Sequence, residues 1–157
     1  MNPITHRPLS AITVAGIIFH EQRFLLVEEL IEGQIKLNQP AGHVEPGENL
    51  IEAVKREVLE ETRHHFHPEA LLGIYHNNPV TGHRIMRVAI IGSVDPAPDT
   101  SLTLDAAILS TQWLTPDEIT ARKADLRSPF VTHCIHDFLE GKRFDLDVLY
   151  SLIGIEK

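Results

Sequence analysis

Apolar positions run almost unbroken in some stretches of the chain and recur at helical spacing in others, and each change of period marks an element. Ile12-Thr13-Val14-Ala15-Gly16-Ile17-Ile18-Phe19 is β-rich and mostly apolar, the pattern of a strand covered on both faces. His20-Glu21-Gln22 turns it, and Arg23-Phe24-Leu25-Leu26-Val27-Glu28-Glu29 is the second arm of an expected hairpin. A turn at Glu32-Gly33-Gln34 precedes a short strand, Ile35 to Asn38. Pro40, Gly42, Pro46 and Gly47 then punctuate a loop whose backbone amides are free to face a ligand.

Helix signals follow at once. Asn49 is a good N-cap and Glu52, three residues on, can reach back to the cap, so a helix starts near Leu50. At 100° per residue, Glu57, Glu60 and Glu61 fall within roughly a third of the circumference. Leu50, Ala53 and Val54 share that sector, while Glu52, Lys55 and Arg63 lie opposite. The acidic cluster is therefore expected to continue an inward-facing apolar stripe. Three carboxylates crowded at the edge of a core repel one another, and a divalent cation resolves the conflict. Hard oxygen ligands suit Mg²⁺ or Mn²⁺ better than zinc.

Beyond the helix, His64, His65 and His67 lack zinc-type spacing and a neighbouring Cys, so residues 63–68 are expected to form an exposed connection. Two strands follow, Ala70 to His76 and Ile85 to Ser93, joined by the polar segment 77–82, a candidate binding mouth. Arg84 and Arg87 are an odd number of positions apart, so strand alternation lets only one face the site. Asp95 to Thr100 reads as irregular, and Asp105 to Leu114 leads into the strand with the only Trp, Trp113. Thr115-Pro116-Asp117-Glu118 is a capping box with Pro at the first helical position, for a short helix to about Lys123. Ser128-Pro129 repeats the device before a helix with Phe130, Cys134 and Phe138 on one face, closed by Gly141.

Composition narrows the picture. At 157 residues, 43% hydrophobic and 23% charged, residues 1–157 read as one domain with a proper core. A net charge of −8 disfavours nucleic acid or an anionic membrane face as the main partner. The lone Cys134 cannot form an internal disulfide, which fits the cytoplasm, and the opening residues 1–8 lack the apolar core of a signal peptide.

Gly42, five residues, Glu48, seven residues, then Arg56-Glu57-Val58-Leu59-Glu60-Glu61 resembles the signature of the Nudix hydrolases, Gly-x5-Glu-x7-Arg-Glu-U-x-Glu-Glu-x-Gly-U with U aliphatic. The departures are Arg63 for the final Gly and His64 for the final aliphatic residue, which put the helix end in question and leave the ligands intact. Val27-Glu28-Glu29, Asn38-Gln39-Pro40-Ala41-Gly42-His43 and Leu126-Arg127-Ser128-Pro129 also resemble one branch of that family. Its Nudix phosphatases act on nucleoside di- and triphosphates and on hydroxymethylpyrimidine or thiamine pyrophosphate.

The resemblance implies an α/β fold, an α/β/α sandwich around a curved mixed sheet. It also implies Mg²⁺-dependent hydrolysis of a pyrophosphate bond, with Mn²⁺ able to substitute and the partner a small nucleotide or organic pyrophosphate. Glu57, Glu60 and Glu61, with a carbonyl from Gly42 or Ala41, are the implied metal ligands. Glu60 either shares metal or is the base, and Arg56 with Glu48 fixes loop against helix. Gln39, Gly42, Arg87 and Arg127 are the expected substrate contacts. Many family members carry a further acid where this chain has Ala107, the nearest acid being Asp105. Two alternatives stand beside this reading: a Nudix-fold module that binds a nucleotide without cleaving it, and a pyrophosphatase of the ADP-ribose or dinucleotide type.

Overall fold

A computed structural model describes residues 9–151; the opening segment 1–8, read above for a signal peptide, lies outside them. Seven strands and three α-helices follow in the order β1 (Ser10–His20), β2 (Arg23–Ile31), β3 (Gln34–Asn38), β4 (Ala41–His43), α1 (Leu50–Thr62), β5 (Phe66–Asn77), β6 (Arg84–Val94), β7 (Ile108–Leu114), α2 (Pro116–Ala121) and α3 (Pro129–Leu139). One-turn 3₁₀ segments sit at Lys123–Asp125 and Leu146–Val148. No helix among the described residues is long and apolar enough to cross a membrane.

The sheet is mixed, in the order β3-β2-β1-β6-β5, with β4 added to β1 and β7 to β2. β1 runs parallel to β6 from Ser10 opposite Arg84 to Ile18 opposite Gly92. The expected β1–β2 hairpin is present, but its ladder holds only at Phe19 with Phe24 and His20 with Arg23. Beyond that the two strands part, and β4 takes the vacated edge of β1 at Thr13 to Ala15. β4, unexpected from the sequence, is a three-residue strand inside a stretch of turn residues. The parting of β1 and β2 opens the fork in which the site lies.

Alternation along β1 and β2 sends side chains to both faces. Ile17, Phe24 and Leu26 join Ile119, Val131, Cys134 and Ile135 of α2 and α3 in one cluster. Val14, Ile18 and Leu25 join Ala53, Val54 and Val58 of α1 in the other. The result is the expected α/β/α sandwich. Each large apolar side chain buried this way contributes about 1.5 to 3 kcal/mol. α1 lies so close to β1 that a β-carbon on Gly16 would come within 2.7 Å of Val58 Cγ2. A charge placed at Val58, fully buried, would break the layer.

Three local expectations change. β5 begins at Phe66, not Ala70, because the segment after α1 is a paired strand. His64 is buried, its Nδ1 2.9 Å from the Asp95 carbonyl oxygen, and Phe66 is in the core. Pro68 fits because β5 is an edge strand with a bulge beside it. Phe138 packs on Phe19 and Phe24 with ring centroids 5.2 and 5.3 Å away. Phe130 instead stands half-buried beside the site, with the Arg87 guanidinium 5.1 Å above its ring.

Candidate active site

α1 starts as its sequence dictates: the Asn49 side chain accepts from the Glu52 N–H, and Glu52 accepts from the Asn49 N–H. It ends at Arg63, which takes the left-handed conformation at φ 59° that the usual glycine would take. Between these ends the helix lies against β4 and the loop that follows.

Arg56 binds loop to helix. Its Nε and Nη2 donate to the two carboxylate oxygens of Glu48 at 3.0 and 2.7 Å, and Nη2 also donates to the His43 carbonyl at 3.0 Å. Nη1 donates to Glu57 at 2.8 Å and Glu60 at 3.2 Å. Such two-pronged charge-assisted bonds fix orientation as well as add energy. The Arg56 hydrogen bond holds the Glu48 carboxyl below its ordinary range, and its carboxylate partners keep Arg56 charged.

Of the three signature carboxylates, two are sheltered. Glu57 and Glu61 are buried at 9% and 7% exposure, against Gly42 and Ala41 of β4. Burial raises the Glu57 carboxyl above its usual range, opposed by Arg56. Burial pushes Glu61 up to about 9, against the single N–H it accepts from Ala41 at 3.0 Å; Glu29, Glu57 and Asp105 push the same way. Glu60 does not share the shelter expected of it, since its side chain is 47% exposed.

In front of Glu61 is a cavity of about 280 Å³. Its lining mixes the acids Glu29, Glu61 and Asp105 with Asn38, Arg87 and Arg127. Gly42 and His43 line it too, whereas Glu57, packed against Gly42, and Glu48, Arg56 and Glu60 do not. Arg87 is 6% exposed, and among the described residues no carboxylate lies within salt-bridge distance of it and its Nε has no partner. Its Nη atoms donate to Gln39 Oε1 at 3.2 Å and, at 3.5 Å, to Asn38 Oδ1. Gln39, expected at the substrate, is 2% exposed and serves as a brace, since its amide also donates to the Val131 carbonyl at 3.1 Å. Arg127 is more exposed, with Nε 3.9 Å from Glu29.

Glu29 and Asp105 were not among the expected site residues. The signal for Glu29 is an acid at the end of an apolar strand, buried at 9% exposure. Asp105 stands two positions before Ala107, and a turn brings it to the cavity, its Oδ1 accepting from the Ala107 N–H at 2.8 Å.

The NUDIX domain family matches residues 9–134. The chain belongs to the NUDIX family. It is 32% identical over 138 residues to phosphatase NudJ of Escherichia coli K12, covering 88% of this chain and 89% of that protein. A NUDIX hydrolase from Nitrosomonas europaea shares 46% identity and superposes with a TM-score of 0.89, covering 94% of this chain and all of the other. A MutT protein from Methanosarcina mazei is 25% identical with a TM-score of 0.69, over 85% of this chain and 96% of that one. With Gly42, Glu48, Arg56, Glu57, Glu60 and Glu61 of the signature in place, the chain is a Nudix pyrophosphohydrolase.

Nudix hydrolases generally use divalent metals, and the donor set here suits one. Among the described residues no three acidic, imidazole or thiolate side chains surround a single point. The buried pair Glu57 and Glu61 nevertheless lacks sufficient compensation: Arg56 reaches Glu57 alone of the two, and Glu61 has only a backbone N–H. Buried carboxylates in that state call for a cation. The glycine at position 42 leaves the Glu57 carboxyl room beside the loop backbone.

Proposed function

We propose that this Nudix enzyme hydrolyses the pyrophosphate bond of nucleoside di- or triphosphates or related organic pyrophosphates. Mg²⁺ is the proposed cation and Mn²⁺ its substitute. The observation that carries the proposal is one small cavity lined both by the buried carboxylates of Glu29 and Glu61 and by Arg87 and Arg127.

Glu57 and Glu61, with a carbonyl of the β4 loop, would hold the cation, and Glu60 beside them would share it as the signature implies. When bound, the cation supplies charge neutralisation for the diphosphate oxygens. Arg127 and Arg87 would bind the rest of the phosphate chain, against the overall charge of −8. Asn38 and Gln39 set the orientation of Arg87, and Arg56 with Glu48 keeps the helix and loop in register. The proton lost by the attacking water needs a carboxylate acceptor. Glu60 is the acceptor implied by resemblance. Glu29 is the acceptor favoured by position, since it lines the cavity and burial raises its carboxyl above the usual range.

We further propose that the chain works as a single domain and, with Cys134 unpaired, in the reducing cytoplasm. The test is phosphate release, with Mg²⁺, from a panel of nucleoside di- and triphosphates, thiamine pyrophosphate, ADP-ribose and prenyl diphosphates. Glu57→Gln should lower the rate by about a thousandfold with the fold intact. Equal rates for the variant and the parent would reject the proposal.

A further inference from the structure

Two successive carboxylates on β2 are each met by an arginine from the same short connection. By strand alternation Glu28 and Glu29 point to opposite faces. Glu29 lines the cavity and has Arg127 Nε 3.9 Å away. Glu28, on the other face, accepts from Arg122 Nη1 and Nη2, each at 3.2 Å. Arg122 and Arg127 both belong to the segment between α2 and α3, so this segment passes from one face of β2 to the other.

It does so around the edge strand β3. Leu126 pairs with Leu37 in a single parallel bridge, and the Arg127 N–H donates to the Leu37 carbonyl at 2.8 Å. Lys36 Nζ donates to the Ala124 carbonyl at 3.2 Å. The 3₁₀ turn Lys123–Asp125 forms the bend between the two arginines.

The two guanidinium groups are used differently. Arg122 is fully engaged: besides Glu28, its Nε donates to Asp125 at 3.3 Å within the turn. Glu28 is held in its place by the Ser110 hydroxyl, which donates to it at 2.8 Å and accepts from Gln112 at 3.1 Å. Arg127 is anchored through its backbone, and among the described residues its exposed guanidinium donates no hydrogen bond. Where that guanidinium points is therefore set by the turn, and by what holds the turn against β2. An ion pair as exposed as Arg122 with Glu28 adds little to stability, whereas a planar fork with two donors on one carboxylate fixes direction.

We propose that Arg122 is a positioning residue: through Glu28 it holds the turn in the register that aims Arg127 at the phosphate chain in the cavity. The inference rests on the reading of the cavity as the hydrolytic site with Arg127 on phosphate. Neither Arg122 nor Glu28 lines the cavity, so both act through Arg127.

Two measurements test it. The first is a double-mutant cycle on the best pyrophosphate substrate. Arg122→Gln and the nearly isosteric Glu28→Gln should each raise KM about fivefold and change kcat less than about twofold, because a phosphate contact made equally in ground and transition states moves KM alone. In an Arg127→Ala background, Arg122→Gln should raise KM no further. Arg122→Lys, which keeps a charge within reach of Glu28, should restore most of the parent KM. Effects of Arg122→Gln and Arg127→Ala that simply multiply would overturn the inference.

The second needs no hydrolysis. The Nε–Hε resonance of Arg127, assigned by its loss in Arg127→Lys, is followed by NMR in the substrate-free protein. It should shift in both Arg122→Gln and Glu28→Gln. If the parent hydrolyses no pyrophosphate but the resonance still shifts, the hydrolytic reading fails and the positioning stands. An unmoved resonance, together with an unchanged KM in both variants, would overturn the positioning and leave the hydrolytic reading in place.

Discussion

A β-carbon built on Gly42 would sit 2.2 Å from the carboxyl carbon of Glu57, so the absence of a side chain at one residue is what lets the other lie against the loop. The constraint is steric, since Gly42 is not among the residues with positive φ. Gly42→Ala must therefore displace the Glu57 carboxylate. The expected outcome is a loss of kcat/KM of at least about a hundredfold, as a misplacement of about 1 Å at a reacting centre produces, with the circular dichroism of the fold retained. Steady-state kinetics on the best substrate checks it.

Arg56 makes bonds to Glu48, Glu57, Glu60 and the His43 carbonyl that a single ammonium cannot reproduce. Arg56→Lys should lower stability by about 1 to 3 kcal/mol, the range for charge-assisted bonds with a partly buried carboxylate left behind. Urea denaturation measures this, and activity should fall as well. An unchanged midpoint would show that the loop does not depend on the fork.

Arg63 holds a backbone conformation that costs a side-chain-bearing residue on the order of 1 kcal/mol. Arg63→Gly should raise stability by about 0.5 kcal/mol once the greater freedom of glycine in the unfolded chain is subtracted. Because Arg63 does not line the cavity, kcat should not change.

Asp137 accepts from Lys142 Nζ at 2.7 Å and from the Tyr75 hydroxyl, and these bonds bring its carboxyl down from 3.8 to about 2. A group with a depressed folded-state pKa adds stability above its unfolded value and loses it as pH falls through the folded value. The contribution should thus be complete above about pH 4 and fade between about pH 4 and 2. Asp137→Asn should flatten that part of the melting temperature against pH curve. It should leave the region near neutrality parallel to the parent.

What could be read from the sequence was mainly local. The Asn49 and Glu52 cap, the Thr115 and Glu118 cap, the first hairpin and the burial of Cys134 all follow from near neighbours or from apolar runs. The place of Glu57 and Glu61 followed from helical periodicity, whereas Glu60, on the same sector, is exposed because periodicity fixes a direction and not what covers it. Glu29 and Asp105 reach the cavity only because β2 parts from β1 and the turn before β7 folds back, which no local pattern encodes. Ser128 stands at the N-cap position of α3, as its sequence suggests, but its side chain makes no cap bond there.

The buried carboxylate pair is the centre of this account, and Mn²⁺ binding followed by electron paramagnetic resonance tests it most directly. The parent protein should bind Mn²⁺ without any nucleotide, and Glu57→Gln and Glu61→Gln should each weaken that binding by at least about tenfold while remaining folded. Equal Mn²⁺ affinity in the parent and both variants would contradict it.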